Sequence, residues 1–489
     1  MARALLWFRR DLRLTDNPAL QAALSECREV IPLYISAPEE EYPWPPGGAS
    51  RWWLHHSLHA LDHQLKSRSS RLLILAGPTL ETLRSLIQQQ EITHLFWNRL
   101  YEPALCERDS HIERELKQEG IDCRSFNAAL LCEPRTISTR SGTPYRVFTP
   151  FWRACEKYLM ATPPPHAAPD RVPSIRRKLS GLKLEALGLL PRSGWDRGLA
   201  RSWNPGELGA LEKLRLFQQQ GGVEHYNEQR DLPGIQGTSR LSPHLHFGEI
   251  GPRQIIHALR TSQAAASTTD SSGLASFRRQ LGWREFAHHL LYHFPHTDQS
   301  PMNPKFAEFP WTPASRSVSQ LRAWQQGQCG IPMVDAGMRE LWQTGWMHNR
   351  VRMIVASLLT KNLGIHWREG ACWFWDTLVD ADLPNNSLGW QWTAGCGADA
   401  APFYRIFNPV RQGERFDPDG AYIRRWVPEL AKLPTSRLHA PWKCDEATLA
   451  DAGVTLGKSY PLPIVDLHRS RKQALIRWKS TMNNSDNLS

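Results

Sequence analysis

Carboxylates, amides and indoles crowd into one part of the sequence near residue 390. Residues 380–386 read Asp-Ala-Asp-Leu-Pro-Asn-Asn, and residues 389–409 begin Gly-Trp-Gln-Trp and include an arginine at position 405. An ordinary helical core is built from aliphatic residues, whereas this part sets small, ionisable and readily oxidised side chains beside one another. That mixture predicts a binding site for a buried, redox-active aromatic cofactor.

Two other patterns resemble ligand sites less well. Residues 395–400 match the loose Gly-x-Gly-x-x-Ala dinucleotide pattern, but no predicted strand leads into them and prolines at 402 and 409 interrupt the next segment. Among the four histidines between residues 288 and 296, His289 and His293 share a helical face. No acidic third ligand stands at a suitable spacing, which favours core or solvated histidines over a metal site. We therefore expect no metal.

The composition sets broad limits on the protein. A chain of 489 residues predicts two domains. It has no run of about 18 apolar residues and no signal peptide, so we expect a cytoplasmic protein. Nine cysteines without a Cys-x-x-Cys pair favour reduced thiols. A net charge of +11 and a pI near 9.3 favour a polyanionic partner, although many basic proteins bind none.

The first 130 residues alternate between apolar runs and amphipathic segments. In residues 51–66, leucines at helical spacing predict a helix that covers a sheet. The alternation predicts an α/β domain with a doubly wound parallel sheet. The four apolar runs predicted as strands are Ala4–Phe8, Val30–Ile35, Leu72–Ala76 and His94–Asn98.

The rest of the chain changes character twice. Residues 131–205 are irregular, with prolines at 163–165 and a basic run at 176–178, and are predicted to form an interdomain linker. Residues 206–477 show helical patterns without strand alternation, which predicts an all-α domain. Residues 478–489 are polar and predict a flexible tail.

The sequence contains motifs at Leu6–Leu20, Gly237–Glu249, Gly282–Phe286, Gly345–Arg350 and in the two stretches of residues 380–409. In this order they resemble the DNA photolyase and cryptochrome family, most of all its bacterial cyclobutane pyrimidine dimer photolyases. The resemblance runs almost end to end. It implies a Rossmann-like antenna domain, a helical FAD-binding domain, and a lyase that uses blue light and reduced FAD to split pyrimidine dimers in DNA.

The resemblance implies a set of FAD contacts. Hydroxyls, backbone N–H groups and a cation suit the diphosphate, although Thr238 and Ser239 alone would be read as a helix cap. Arg352 is expected to pair with Asp380, where the alternative is an ordinary surface pair, and Asn386 is expected to face flavin N5. The implied contacts are Tyr226, Thr238, Ser239, Arg240, Leu241, Ser242, Trp346, Arg352, Asp380, Ala381, Asp382 and Asn386.

Three of the 21 tryptophans match an electron relay that photoreduces the flavin in this family. They are Trp390, Trp367 and Trp311. Indole is the most readily oxidised aromatic side chain, so closely spaced indoles can pass an electron inward. Any one of them taken alone would be read as a core residue.

The resemblance also implies a DNA site, because a dimer within a duplex must flip out to reach a buried flavin, as is general for photolyases. Trp283 would pack on the extruded bases, and arginines would hold phosphates, although each arginine alone could be a solvated charge. Gln280 stands where bacterial members commonly have Glu. The other implied contacts are Glu285, Asn349, Met353, Arg230, Arg350, Arg405 and Gln412.

A few single positions in the sequence bear on the type of lesion and on the antenna pigment. Photolyases for six-four photoproducts place histidines where Asn349 and Met353 stand, so a cyclobutane dimer is the predicted lesion. Ala104 and Leu105 replace the Asn-Glu pair that grips a folate in some members, which leaves methenyltetrahydrofolate, a deazaflavin or no pigment. The alternatives to a cyclobutane dimer photolyase as the function are a cryptochrome-type light sensor, a six-four photolyase, or a colourless nucleic-acid binder. A monomer is expected.

Overall fold

The protein divides into two compact units. Unit 1 comprises Met1–Glu224, Ser239–Pro295 and Val379–Leu383, and unit 2 comprises His225–Thr238, His296–Leu378 and Pro384–Ser489. The domain limits predicted from the sequence follow the order of elements along the chain, and they stay predictions. The structure is a computed structural model that describes residues 2–160, 162–175, 179–266, 272–399 and 404–486.

A five-stranded parallel sheet lies at the centre of the first part of unit 1, in the order β3-β2-β1-β4-β5. Strands covered on both faces read as continuous apolar runs, and all four predicted runs form strands. The fifth strand was missed because it is polar, as suits an edge strand, which pairs only with β4 among the described residues. The strands are β1 (Arg3–Phe8), β2 (Glu29–Ser36), β3 (Leu73–Ala76), β4 (His94–Asn98) and β5 (Asp122–Phe126).

Helices complete both units, and the predicted leucine face of residues 51–66 is buried in α2. The helices of unit 1 are α1 (Pro18–Glu26), α2 (Gly48–Lys66), α3 (Thr79–Gln90), α4 (Pro103–Gln118), α5 (Phe148–Met160), α6 (Arg197–Ser202), α7 (Glu207–Gln219), α9 (Ser242–His246), α10 (Pro252–Ala266) and α11 (Ser272–His293). Those of unit 2 are α8 (Tyr226–Gln229), α12 (Ala314–Gln325), α13 (Pro332–Thr344), α14 (Asn349–Ser357), α15 (Trp367–Thr377), α16 (Leu383–Ala394), α17 (Pro409–Phe416), α18 (Ala421–Trp426), α19 (Thr435–Leu438), α20 (Glu446–Asp451) and α21 (Leu467–Asp486).

The described residues of the predicted linker contain two α-helices, α5 and α6, that the sequence analysis did not identify. In α5, Phe148, Phe151, Trp152 and Cys155 are buried at positions i, i+3, i+4 and i+7. This apolar face explains why the segment folds although prolines come after it. The basic run at 176–178 lies outside the described residues.

Two features of unit 2 bear on the sequence-based expectations. The glycine-rich pattern that begins at Gly395 follows α16 instead of a strand, and Gly395 has a φ of +85°. Its last residue, Ala400, lies outside the described residues. Helix α21 continues to Asp486, so most of the predicted flexible tail is helical. Residues 487–489 lie outside the described part of the chain.

Candidate active site

Asp382 of unit 1 is a buried carboxylate held between two imidazoles. His246 Nδ1, at the end of α9, lies 3.3 Å from Asp382 Oδ2, and His288 Nε2, on α11, lies 3.8 Å from it. Burial alone would raise the pKa of Asp382, but His288, His246 and Arg284 hold it well below its usual range. Asp382 is therefore an anion at neutral pH. Its neighbours Asp380 and Ala381 are also buried.

The loop before α9 has an unusual backbone. Arg240 has a φ of +52°, in the left-handed region that side chains seldom adopt. Its guanidinium carbon lies 4.7 Å from the ring centroid of Trp203. Leu241 is the buried N-cap of α9, and Ser242 begins the helix. Such a conformation persists only where surrounding contacts impose it, and it is common at ligand sites.

Asn386 and Trp390 stand one turn apart on α16 in unit 2. The Asn386 side-chain amide donates a 3.0 Å hydrogen bond to the carbonyl oxygen of Ala371, which leaves Oδ1 as the remaining acceptor. Trp390 is only 2% exposed. A Cβ at Gly370 would overlap its ring, so glycine is needed for α16 to lie this close to α15.

The other two relay candidates differ in exposure. Trp367 begins α15 and is 1% exposed, whereas Trp311 is half-buried. His366 lies beside both, with its ring centroid 5.0 Å from that of Trp311 and 5.6 Å from that of Trp367. The exposure of the three indoles thus increases from α16 and α15 to the Trp311 segment.

The predicted cofactor contacts of unit 2 include two buried aromatic residues and a cation. Tyr226 and Trp346 are buried, and burial raises the pKa of Tyr226. Thr238, at the end of this segment, is half-buried. Arg352 Nε donates to the carbonyl oxygen of Met347 at 2.7 Å. The predicted pair of Arg352 with Asp380 joins residues of different units and stays a prediction.

The predicted DNA contacts on α11 have different environments. Trp283 is half-buried and stacks on Phe148 of α5, with ring centroids 3.8 Å apart and planes 5° apart. Gln280 Nε2 donates to the carbonyl oxygen of Ser276 at 3.2 Å. Glu285 is 3% exposed, and burial raises its pKa to about 7 against the effect of the nearby Arg284. The Glu285 carboxylate is thus an internal group, while its predicted role at the lesion stays a prediction.

A basic group lies on α14 and its surroundings in unit 2. Arg350 forms an ion pair with Asp231 at 2.7 Å, and Arg230 lies 3.8 Å from the same carboxylate. Asn349 is exposed, and its amide nitrogen lies 4.0 Å from the sulfur of Met353. The structure therefore brings together the predicted contacts of residues 230 and 349–353.

The two remaining predicted DNA contacts of unit 2 lie further along the chain. Arg405 is exposed. Gln412, on α17, has a buried Oε1 without a hydrogen-bond partner in the described structure. An unpaired buried acceptor is costly, so Gln412 is suited to receive a donor from a ligand.

Sequence reasoning missed His246, His288 and His366. The first lies in a quoted motif, but its role depends on a carboxylate 136 residues away. The histidine pair considered for a metal has other partners, because the Tyr145 N–H donates to His289 Nε2 at 3.1 Å and His293 Nε2 lies 3.0 Å from the Pro134 carbonyl oxygen. Among the described residues, the group with metal-ligand spacing is instead Glu26, His94 and Asp122.

Comparisons with known proteins identify the family of both parts of the chain. Residues 277–480 match the FAD binding domain of DNA photolyase, and residues 4–170 match the DNA photolyase domain. A deoxyribodipyrimidine photo-lyase of Agrobacterium fabrum is 46% identical over 98% of both chains. Cryptochrome-1 of Arabidopsis thaliana is 39% identical over 96% of this chain and 69% of its own length.

Solved structures give the same result. A bacterial class III photolyase from Agrobacterium tumefaciens has a TM-score of 0.93 and 44% identity, with 99% of this chain and 98% of that chain covered. No described helix has the length and apolar character needed to cross a membrane. The predicted fold class, an α/β domain followed by a largely helical FAD-binding domain, is confirmed. The chain belongs to the DNA photolyase family.

Proposed function

We propose that the protein repairs cyclobutane pyrimidine dimers in DNA, with reduced FAD supplying a photoexcited electron to a flipped-out dimer. The lesion type is inferred from the contact of Asn349 with Met353 on α14. Neither side chain can transfer a proton near neutral pH, whereas a six-four photoproduct requires acid and base groups. Splitting a cyclobutane dimer requires no protonated leaving group.

The residues present suit FAD. In unit 1, the Asp382 anion and the hydroxyls of Ser239 and Ser242 are groups that FAD can use, and in unit 2 so are Tyr226 and Arg352. Hydroxyls and a cation suit a diphosphate, and a fixed carboxylate suits the polar edge of a flavin ring. The Asn386 amide is oriented by Ala371, so its Oδ1 would accept a hydrogen bond from flavin N5 and cannot titrate there.

The antenna pigment is a separate proposal. Leu105 is buried in α4, so its side chain fills the domain core where some relatives would offer a carboxylate to a folate. We therefore propose that any pigment is held by other residues. Methenyltetrahydrofolate and a deazaflavin are distinguished by the absorption spectrum of the pigment released from purified protein.

The deciding experiment illuminates chemically reduced protein with blue light in the presence of DNA that contains only one type of lesion. We expect loss of cyclobutane dimers and no change in six-four photoproducts. If both lesions persist while reduced flavin is bound, a cryptochrome-type sensor becomes the better assignment. A protein that retains no flavin contradicts both functions.

Arg350→Gln is expected to weaken DNA binding equally for all sequences and to lower the slope of log K against log salt by about one. The reason is the loss of one phosphate contact. On binding DNA, Arg350 would exchange its ion pair with Asp231 for a contact with a phosphate of the DNA strand. The measurement is a salt series of dimer-DNA binding. Arg215→Gln is the control, because that exposed arginine forms its ion pair with Glu212, at 2.7 Å on α7, and also donates to the Gln219 side chain on the same helix. An unchanged slope for Arg350→Gln would remove Arg350 from the interface.

Gln280→Glu is expected to raise repair per absorbed photon without changing flavin content. The glutamine amide now donates to Ser276, whereas a glutamate could offer a charge-assisted hydrogen bond to the thymine edge, worth about 1 kcal/mol more. The measurement is the repair quantum yield of reduced protein. Gln218→Glu is the matched control, since Gln218 also donates to a helix carbonyl, that of Ala258. An equal or lower yield for Gln280→Glu would refute this role.

A further inference from the structure

His366 is the N-cap of helix α15. Its Nδ1 accepts a 3.1 Å hydrogen bond from the backbone N–H of Arg368. His348 caps α14 in the same way, with Nδ1 accepting from the N–H of Arg350 at 3.1 Å. Serine, threonine, aspartate and asparagine are the preferred capping residues. His366 differs from His348 in that two candidate relay indoles contact its ring.

The ring of His366 packs against two indoles. It is 5.0 Å from Trp311 at an interplanar angle of 61°, and 5.6 Å from Trp367 at 29°. Within the described part of unit 2, no ring contact joins Trp311 directly to Trp367. Trp311 Nε1 is buried and has no hydrogen-bond partner there, so packing holds this indole in place. The imidazole is thus in ring contact with both indoles.

The charge of His366 is compatible with this position. Burial, followed by the charge of Arg368, lowers the pKa of His366 to about 4. At neutral pH the ring is therefore uncharged. A neutral imidazole would not oppose the positive charge of an oxidised indole on either side.

We propose that His366 is a positioning residue of the tryptophan relay, whose neutral ring bridges Trp311 and Trp367. This proposal rests on the proposed function and on the tryptophan relay that the family resemblance implies. In the step concerned, one electron moves from Trp311 to oxidised Trp367, which becomes neutral while Trp311 becomes a radical cation. A thiolate in solution then returns one electron to Trp311 and becomes a thiyl radical. His366 itself is not oxidised.

Two substitutions separate the ring from the cap. His366→Asn keeps a capping oxygen but removes the aromatic ring, and His366→Phe keeps a ring but removes the acceptor. We expect photoreduction of bound flavin by thiol to slow about tenfold in His366→Asn, equivalent to roughly 1.4 kcal/mol of activation free energy. His366→Phe should retain most of the rate while melting at a lower temperature. Transient absorption should show the Trp311 radical forming more slowly only in the asparagine variant.

The controls keep this test independent of the repair assay. His348→Asn measures the effect on the melting temperature of replacing the same imidazole cap where no relay ring is involved. Chemically reduced His366→Asn should repair dimers like the parent protein, because chemical reduction bypasses the relay. A wild-type photoreduction rate in His366→Asn, or equal slowing in both His366 variants, overturns the bridging role. Failure of the reduced parent protein to repair dimers instead contradicts the proposed function.

Discussion

Replacing Trp367 by phenylalanine is expected to slow light-driven reduction of bound flavin on the order of a hundredfold, equivalent to about 2.7 kcal/mol of activation free energy. A benzene ring is much harder to oxidise than indole, so an electron would have to cross the space between α16 and the Trp311 segment without an intermediate carrier. The measurement is the bleaching of oxidised flavin under blue light with a thiol donor. Repair by chemically reduced protein should be unchanged.

Trp324→Phe is the matched control for this substitution. Trp324 is fully buried, and its ring centroid lies 6.1 Å from that of Trp390. It is thus an indole that contacts a predicted relay residue but is not itself part of the predicted relay. Its Nε1 donates to the Val355 carbonyl oxygen at 3.0 Å, so its loss should reduce stability. We expect photoreduction close to the parent rate. Equal slowing of both variants would indicate general disruption of the core, and normal photoreduction of Trp367→Phe would exclude Trp367 from the relay.

The sheet could be predicted from sequence because burial on both faces produces continuous apolar runs. This rule identified β1 to β4 but not β5, whose sequence Asp-Cys-Arg-Ser-Phe reflects an edge strand with one pairing partner. Helix α5 was missed for a different reason. Its apolar face is clear over residues 148–155, but the prolines and basic residues after it dominated the interpretation of the whole segment as irregular.

The candidate site could be predicted where motifs name residues, and not where partners come from distant segments. The indole and amide positions on α16 follow from the sequence near residue 390. The contact of His246 with Asp382 spans 136 residues, and that of Glu285 with the Leu131 N–H spans 154. Such contacts depend on how α9 and α11 pack, and no local pattern encodes them. They set the charge of Asp382 and the burial of Glu285.

The free energy of unfolding of Glu285→Gln, relative to that of the parent protein, is expected to increase as the pH rises from about 4.5 to 7. The folded-state pKa of Glu285 is about 7 and its ordinary value is 4.5, because burial outweighs Arg284 and the N–H groups of Cys132 and Leu131. The folded protein thus binds a proton that the unfolded chain has lost. The stability that Glu285 provides below pH 4.5 is lost as the pH rises through 7, by roughly 3 kcal/mol in total.

A glutamine at residue 285 cannot titrate, and its side-chain oxygen can still accept from the Leu131 and Cys132 N–H groups, now 2.8 and 3.2 Å from the Glu285 carboxylate. The measurement is the free energy of unfolding by denaturant at several pH values, with the variant-minus-parent difference as the readout. Glu113→Gln is the control, because Glu113 pairs with Lys117 on the surface of α4 and such pairs contribute under about 1 kcal/mol. The difference for Glu285→Gln should rise up to about pH 7 and then level off. If it stays constant or falls over that range, Glu285 is ionised in the folded protein, and Arg284 together with the two N–H groups outweighs the cost of its burial.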